Sequence, residues 1–280
     1  MTAAGPAARD QPGAVGTRTA LRAVVRDRPL AAYVLLAVLL SWSWWVPVAL
    51  TGGTASHVPG LLGPALAAVG VTAATGGRPA VRQLRGRLGA PRWWALALLP
   101  PAVAAVAAPL LHLLGDGPAL GDFADMPGIP AWSWPAVLLV LFAVGGLGEE
   151  VGWRGLAWTR LRRRLGLRDA ALVLTVPWAL WHLPLFWIDS GLAGLSPWVV
   201  PGWLLGLASG AVVLGWLYER SGSLLVAALA HTAVNVVSGT RGGEGLVAAV
   251  VSAGVIAAAV ALLAADRRGG PAPRTVSGRP

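Results

Sequence analysis

The chain has 280 residues, 56% of them hydrophobic and 12% charged, with a mean hydropathy of +0.66, which excludes an ordinary soluble domain. It has no cysteine, so disulfide frameworks, thiolate metal sites and cysteine nucleophiles are excluded as well. The net charge of +10 is carried by arginine alone, and because the arginines lie between apolar runs they point to a membrane protein and not to a nucleic-acid partner.

A helix needs about 20 apolar residues to cross roughly 30 Å of hydrocarbon. On that measure the sequence predicts an all-α polytopic membrane protein with about eight transmembrane helices. In chain order they fall at 30–50, 59–75, 93–114, 131–153, 170–188, 197–217, 223–238 and 245–265, the second and seventh being short. Pro100, Pro101, Pro177 and Pro184 fall inside spans, where neighbouring helices can compensate lost backbone bonds. Residues 1–28 carry no signal-like pattern and are expected to be a flexible cytoplasmic tail. Residues 29–266 are expected to form one membrane domain, and 267–280 a second tail.

The connections alternate in charge. Arg9, Arg18, Arg22, Arg26 and Arg28 precede the first span, and "TGGTASHV" after it has none. Arg78, Arg82, Arg85, Arg87 and Arg92 follow the second, and Asp116, Asp122 and Asp125 follow the third. Arg160, Arg162, Arg163, Arg164 and Arg168 follow the fourth, and only Asp189 follows the fifth. The arginine-rich sides belong in the cytoplasm, so both ends are expected there, in the plasma membrane of a bacterial-type cell.

"LGEEVGWRG" at 147–155 places three charges where the fourth apolar run is expected to finish. Glu149, Glu150 and Arg154, His182 in the fifth span, and His231 and Asn235 in the seventh are costly in lipid, by about 2.5 kcal/mol or more each for ionisable groups. Counted at 1.5 Å per residue, all reach the cytoplasmic half or the midplane and could share one cavity open to that half. Glu150 and Arg154, at i and i+4, can pair on one face, leaving Glu149 about 100° away and free. His231 and Asn235 share a face by the same spacing. Glycines at 145, 146, 148, 152 and 155 would let another helix come close. Each site alone also has a plain reading: an interfacial ion pair, a packing histidine beside Trp181, interhelical glue. His57 and His112 have nothing near them at useful spacing and keep that reading. Three spans with polar groups at compatible depth favour a site.

A carboxylate, two histidines and an amide suit activation of water against a carbonyl. Glu149 would take the proton, while a histidine and Asn235 stabilise the oxyanion. HExxH, GxSxG and GxGD patterns do not occur. The residues themselves leave open a proton-coupled transporter using Glu149 and His182, though no inverted repeat supports it.

"EEVGWR" (149–154), "WALWH" (178–182) and "HTAVN" (231–235) fit or approach EExxxR, FxxxH and HxxxN. In that order they resemble the motifs of the CAAX-protease and bacteriocin-processing (CPBP, or Abi) intramembrane protease family, which includes the type 2 CAAX prenyl endopeptidases. The resemblance covers about 130–240. It implies an intramembrane endopeptidase acting on a membrane-associated protein or peptide, in which Glu149 and His182 activate water, His231 and Asn235 hold the oxyanion, and Glu150 with Arg154 brace the site. A non-catalytic immunity or scaffold protein of the same fold is the rival within the family. Trp178 stands where the motif usually has phenylalanine, and a packing role is expected to survive. Members are commonly named metalloproteases, and Glu149, His182 and His231 could hold Zn²⁺. Asparagine is a poor zinc ligand, and a second histidine at i+4 is lacking, so metal-independent glutamate chemistry is expected.

Overall fold

The computed structural model of the protein describes residues 25–52, 55–76, 91–127, 133–188 and 192–268. The expected tails, apart from the residues next to the first and last helices, lie outside the described residues, as do Arg78, Arg82, Arg85, Arg87 and Asp189. The described chain is helical, with no strand among the described residues.

Helix α1 (Pro29–Thr51) starts with proline at its first position and ends on Gly52 in the left-handed region at φ 59°. A 3₁₀ turn at Val58–Leu62 leads into α2 (Gly63–Ala74). Helices α3 (Pro91–Ala97) and α4 (Leu99–Leu113) are bent by 44° at Leu98. Pro100 and Pro101 supply no N–H there, which breaks the ladder at the bend. Helix α5 runs over Trp134–Leu161, followed by α6 (Leu167–Trp181), α7 (Val200–Ser221), α8 (Leu224–Ser238) and α9 (Gly245–Arg268). The Ser223 hydroxyl caps α8 by accepting the Val226 N–H.

Among the described residues α1, α5, α7 and α9 are long and apolar enough to cross a membrane, and α3 with α4 makes a fifth if counted as one bent span. The apolar runs expected at 59–75 and 223–238 are helical but shorter, as is the run expected at 170–188, whose α-helix stops at Trp181. Large apolar side chains on the outside, among them Leu35, Leu139 and Val260, suit a lipid surround.

The fourth run differs most from expectation. Its helix does not finish near residue 153 but continues to Leu161. Two wide π turns, Leu141–Gly146 and Trp153–Trp158, bracket the charged stretch. The Thr159 hydroxyl donates to the Arg154 carbonyl at 3.0 Å, occupying an acceptor in the second wide turn. Glu149 is therefore about 22 Å from the Trp134 end and about 18 Å from the Leu161 end, well inside the helix.

α5 packs against α2, α8 and α6. Two glycines permit the approach: a Cβ on Gly146 would lie 2.7 Å from the Ala228 carbonyl oxygen of α8, and one on Gly152 would lie 2.6 Å from that of Pro64 in α2. Polar ties hold the connections at both ends of α5. Near its start, Arg241 ion-pairs with Asp125 and donates its backbone N–H to the Asp125 carbonyl at 3.0 Å. At its other end, Glu219 of α7 accepts from Arg162 Nε at 2.7 Å and from Trp158 Nε1, in the last turns of α5, at 2.9 Å.

Candidate active site

Glu149, Glu150 and Arg154 project from the α-helical turn and second wide turn of α5, and all three are buried, with Glu150 and Arg154 fully so. The i, i+4 pairing forms as its spacing predicts: Arg154 Nη1 donates to Glu150 Oε1 at 2.7 Å. A charge this deep needs both its counter-charge and further hydrogen bonds. The second bond to the same oxygen comes from α8, where His231 Nδ1 lies 2.9 Å from Glu150 Oε1. A carboxylate only accepts, so Nδ1 carries a proton, and in the neutral ring Nε2 presents its lone pair. That nitrogen is 4.0 Å from Glu149 Oε1.

Glu149 is not left free, as the helical wheel suggested. The Trp178 indole N–H, from α6, donates to its Oε2 at 3.0 Å. The Trp178 ring also lies under the Arg154 guanidinium, 4.3 Å from its centre, and meets the His231 ring edge-on at 5.7 Å.

His182 caps α6 at its C-terminal end, where Pro184 ends the helical run. Its Nδ1 is 2.7 Å from the Trp178 carbonyl oxygen, an acceptor only, so this nitrogen too is the donor and Nε2 is unprotonated in the neutral ring. Trp178, Trp181 and Trp203 surround the imidazole at ring separations of 5.9, 4.7 and 5.7 Å.

The first helix fixes this end of α6. Trp42 Nε1 donates to the Trp181 carbonyl at 3.0 Å, and Trp181 Nε1 donates to the Ser41 hydroxyl at 2.7 Å. The Ser41 hydroxyl in turn donates a hydrogen bond to the Gly60 carbonyl, also at 2.7 Å.

The structure thus joins Glu149, Glu150, Arg154 and His231 directly, and His182 through Trp178. Asn235 lies one turn beyond His231 on α8, half-buried, and its side chain makes no hydrogen bond among the described residues. The Glu150–His231 bond, the Trp178 N–H and the Ser41–Trp42 anchor escape a reading by motif. Only Trp178 left a signal in the sequence: a buried indole in place of phenylalanine brings an N–H that must find an acceptor.

Among the described residues no group of three or more His, Asp and Glu side chains is placed to hold a metal ion. Nδ1 of each imidazole donates to Glu150 or to the Trp178 carbonyl, which leaves Nε2 of each ring as the uncommitted nitrogen, and the Trp178 ring packs against both. Glu149, His182 and His231 are not gathered into such a group.

Residues 131–237 match the family model described as type II CAAX prenyl endopeptidase Rce1-like. The chain is also similar to a protein named CAAX prenyl protease 2 from Methanococcus maripaludis, 27% identical over 106 residues. That match takes in 36% of this chain and spans 38% of the relative's length.

Proposed function

We propose, because residues 131–237 match an Rce1-like family model, that the protein is an intramembrane endopeptidase that hydrolyses a peptide bond in a membrane-associated protein or peptide. The observation that carries this reading is the buried set in which Glu149, held by Trp178, faces His231 while Glu150 and Arg154 hold His231 in place. Three separated motifs supply its members, and Glu149, Glu150, Arg154, His182 and His231 each have at least one polar partner.

In the proposed reaction, Glu149 Oε1 takes a proton from water as the oxygen attacks the scissile carbonyl. His182 Nε2, unprotonated by the tautomer above, is the second acceptor for that water. The oxyanion is met by the Asn235 amide and by Nε2 of His231, which enters the reaction as imidazolium with a proton taken from solvent and keeps it throughout. The proton on Glu149 then passes to the leaving amine. Glu150 and Arg154 touch no reacting atom and set the His231 ring. Metal is not required by this scheme, and metal analysis of the purified, active protein tests that part.

The relative's printed name makes a prenylated CAAX protein the first substrate class to try. We also propose that the spans cross the membrane eight times, with both ends and the mouth of the site on the cytoplasmic side. The arginine cluster at 160–168 between α5 and α6 supports that orientation. Reporter fusions after residues 54, 120 and 193 should then read outside, and those after 85 and 163 inside; a reversed pattern at 85 and 120 rejects it. The protease reading is tested by comparing membrane proteomes of cells carrying wild type and Glu149→Ala for peptides that lose cleavage. Identical peptide patterns would reject it in favour of the transporter or scaffold.

A further inference from the structure

Phenylalanine at position 178 would give the site a ring and nothing else. Here the ring carries a donor, and the donor is used. Trp178 is 3% exposed, and an indole N–H cannot accept, so at this depth it needs an oxygen. It finds Glu149 Oε2 at 3.0 Å. We propose that Trp178 is a positioning residue for Glu149: its N–H holds Oε2, fixes the carboxylate plane, and leaves Oε1 as the oxygen that receives the proton from water. This rests on the protease reading above.

The contacts around Trp178 support the assignment from three sides. The Arg154 guanidinium lies over its ring at 4.3 Å, so the cation that pairs with Glu150 also braces the indole. The remaining oxygen of Glu149 is the one that faces His231 Nε2, at 4.0 Å. The Trp178 backbone carbonyl holds His182 Nδ1 at 2.7 Å. One residue therefore aligns the base through its side chain and a histidine through its backbone. A hydrogen bond to an ionised oxygen is among the stronger ones available in a buried site.

Two measurements test the proposal. In detergent-solubilised protein carrying indole-¹⁵N tryptophan, the Trp178 signal is the one that disappears in Trp178→Phe. It should shift in Glu149→Ala more than any other indole signal. A Trp178 signal that stays in place would overturn the hydrogen bond, and this readout needs no substrate. The second measurement uses a farnesylated CAAX peptide and protein in liposomes. Trp178→Phe, and the residue replaced by 1-naphthylalanine, which keeps the two-ring bulk without the N–H, should both lose about tenfold in kcat with little change in KM. Wild-type kcat with naphthylalanine would mean that bulk alone matters and would overturn the positioning role. Glu149→Gln run in parallel separates the two failures. If it is inactive while the naphthylalanine protein is unimpaired, the protease reading stands and this inference falls. If it cleaves at the wild-type rate, the protease reading falls, and the catalytic part of this inference with it.

Discussion

Helices α5 and α9 are both long and apolar enough to cross a membrane, yet half of the apolar stretch of α5 is buried in the protein against 17% of that of α9. α9 turns Leu246, Val250 and Val260 outward, and lipid can serve as their surround. α5 carries two carboxylates and a guanidinium near its middle and needs three other helices, α2, α6 and α8, packed along it. A span built for lipid is specified by composition. A span built for chemistry is specified by its partners, so its tolerance to substitution should differ in kind.

The largest expected effect breaks the chemistry of α5 alone. Glu149→Gln keeps the side-chain shape but removes the base, and proteolysis should fall by about 10²-fold or more. His182→Ala and His231→Ala should be comparable. Asn235→Ala should cost about 10²–10³-fold in kcat if its amide meets the oxyanion. Wild-type rates of substrate cleavage in these variants would remove the site from α5 and α8.

Next comes the brace. Arg154→Ala leaves Glu150 buried with only His231 beside it and should destabilise by about 3–5 kcal/mol. Thermal unfolding in detergent should show a clear drop in Tm. Combined with Glu150→Gln, the losses should be far from additive, and strict additivity would reject the pairing as an energetic unit.

Close approach gives a smaller effect. Gly152→Ala sets a methyl group against the Pro64 carbonyl and the Tyr33 hydroxyl, so about 1–3 kcal/mol should be lost in the same unfolding assay. An unchanged Tm would show that α2 and α5 can separate freely. The smallest effect belongs to α9: Val260→Ala, on an outward face, should stay within about 0.5 kcal/mol of wild type. A large loss there would mean that α9 faces protein and not lipid, erasing the contrast.

The all-helical, membrane-type fold was legible because twenty-residue apolar runs leave few alternatives. The Glu150–Arg154 pair was legible for the same kind of reason, since i, i+4 spacing is a property of one helix. What could not be read depends on more than one helix. Glu149 seemed unengaged because its partner is 29 residues away on α6, and the bond from Glu150 to His231 joins residues 81 apart. The true end of α5 was hidden too. Charges at 149–154 look like a terminus when lipid is assumed on all sides, but a guanidinium with a carboxylate and an aromatic ring for neighbours lets the helix continue to Leu161. The 44° bend at Leu98 was hinted at by two prolines, but its direction needed the packing around α4 and α8.

The hydrogen bonds from α1 to the end of α6 have a consequence for assembly during synthesis. Trp42 and Ser41 reach Trp181 across 139 and 140 residues of chain. The first helix therefore enters the bilayer long before its partner exists, with the Trp42 N–H still lacking the carbonyl it will bind. His182 gains its final place only when α6 docks against a helix made well before it. Segment 131–237, expressed by itself, would carry every motif residue and still lack the anchor, so transplanting the domain into another membrane protein should require α1 to travel with it.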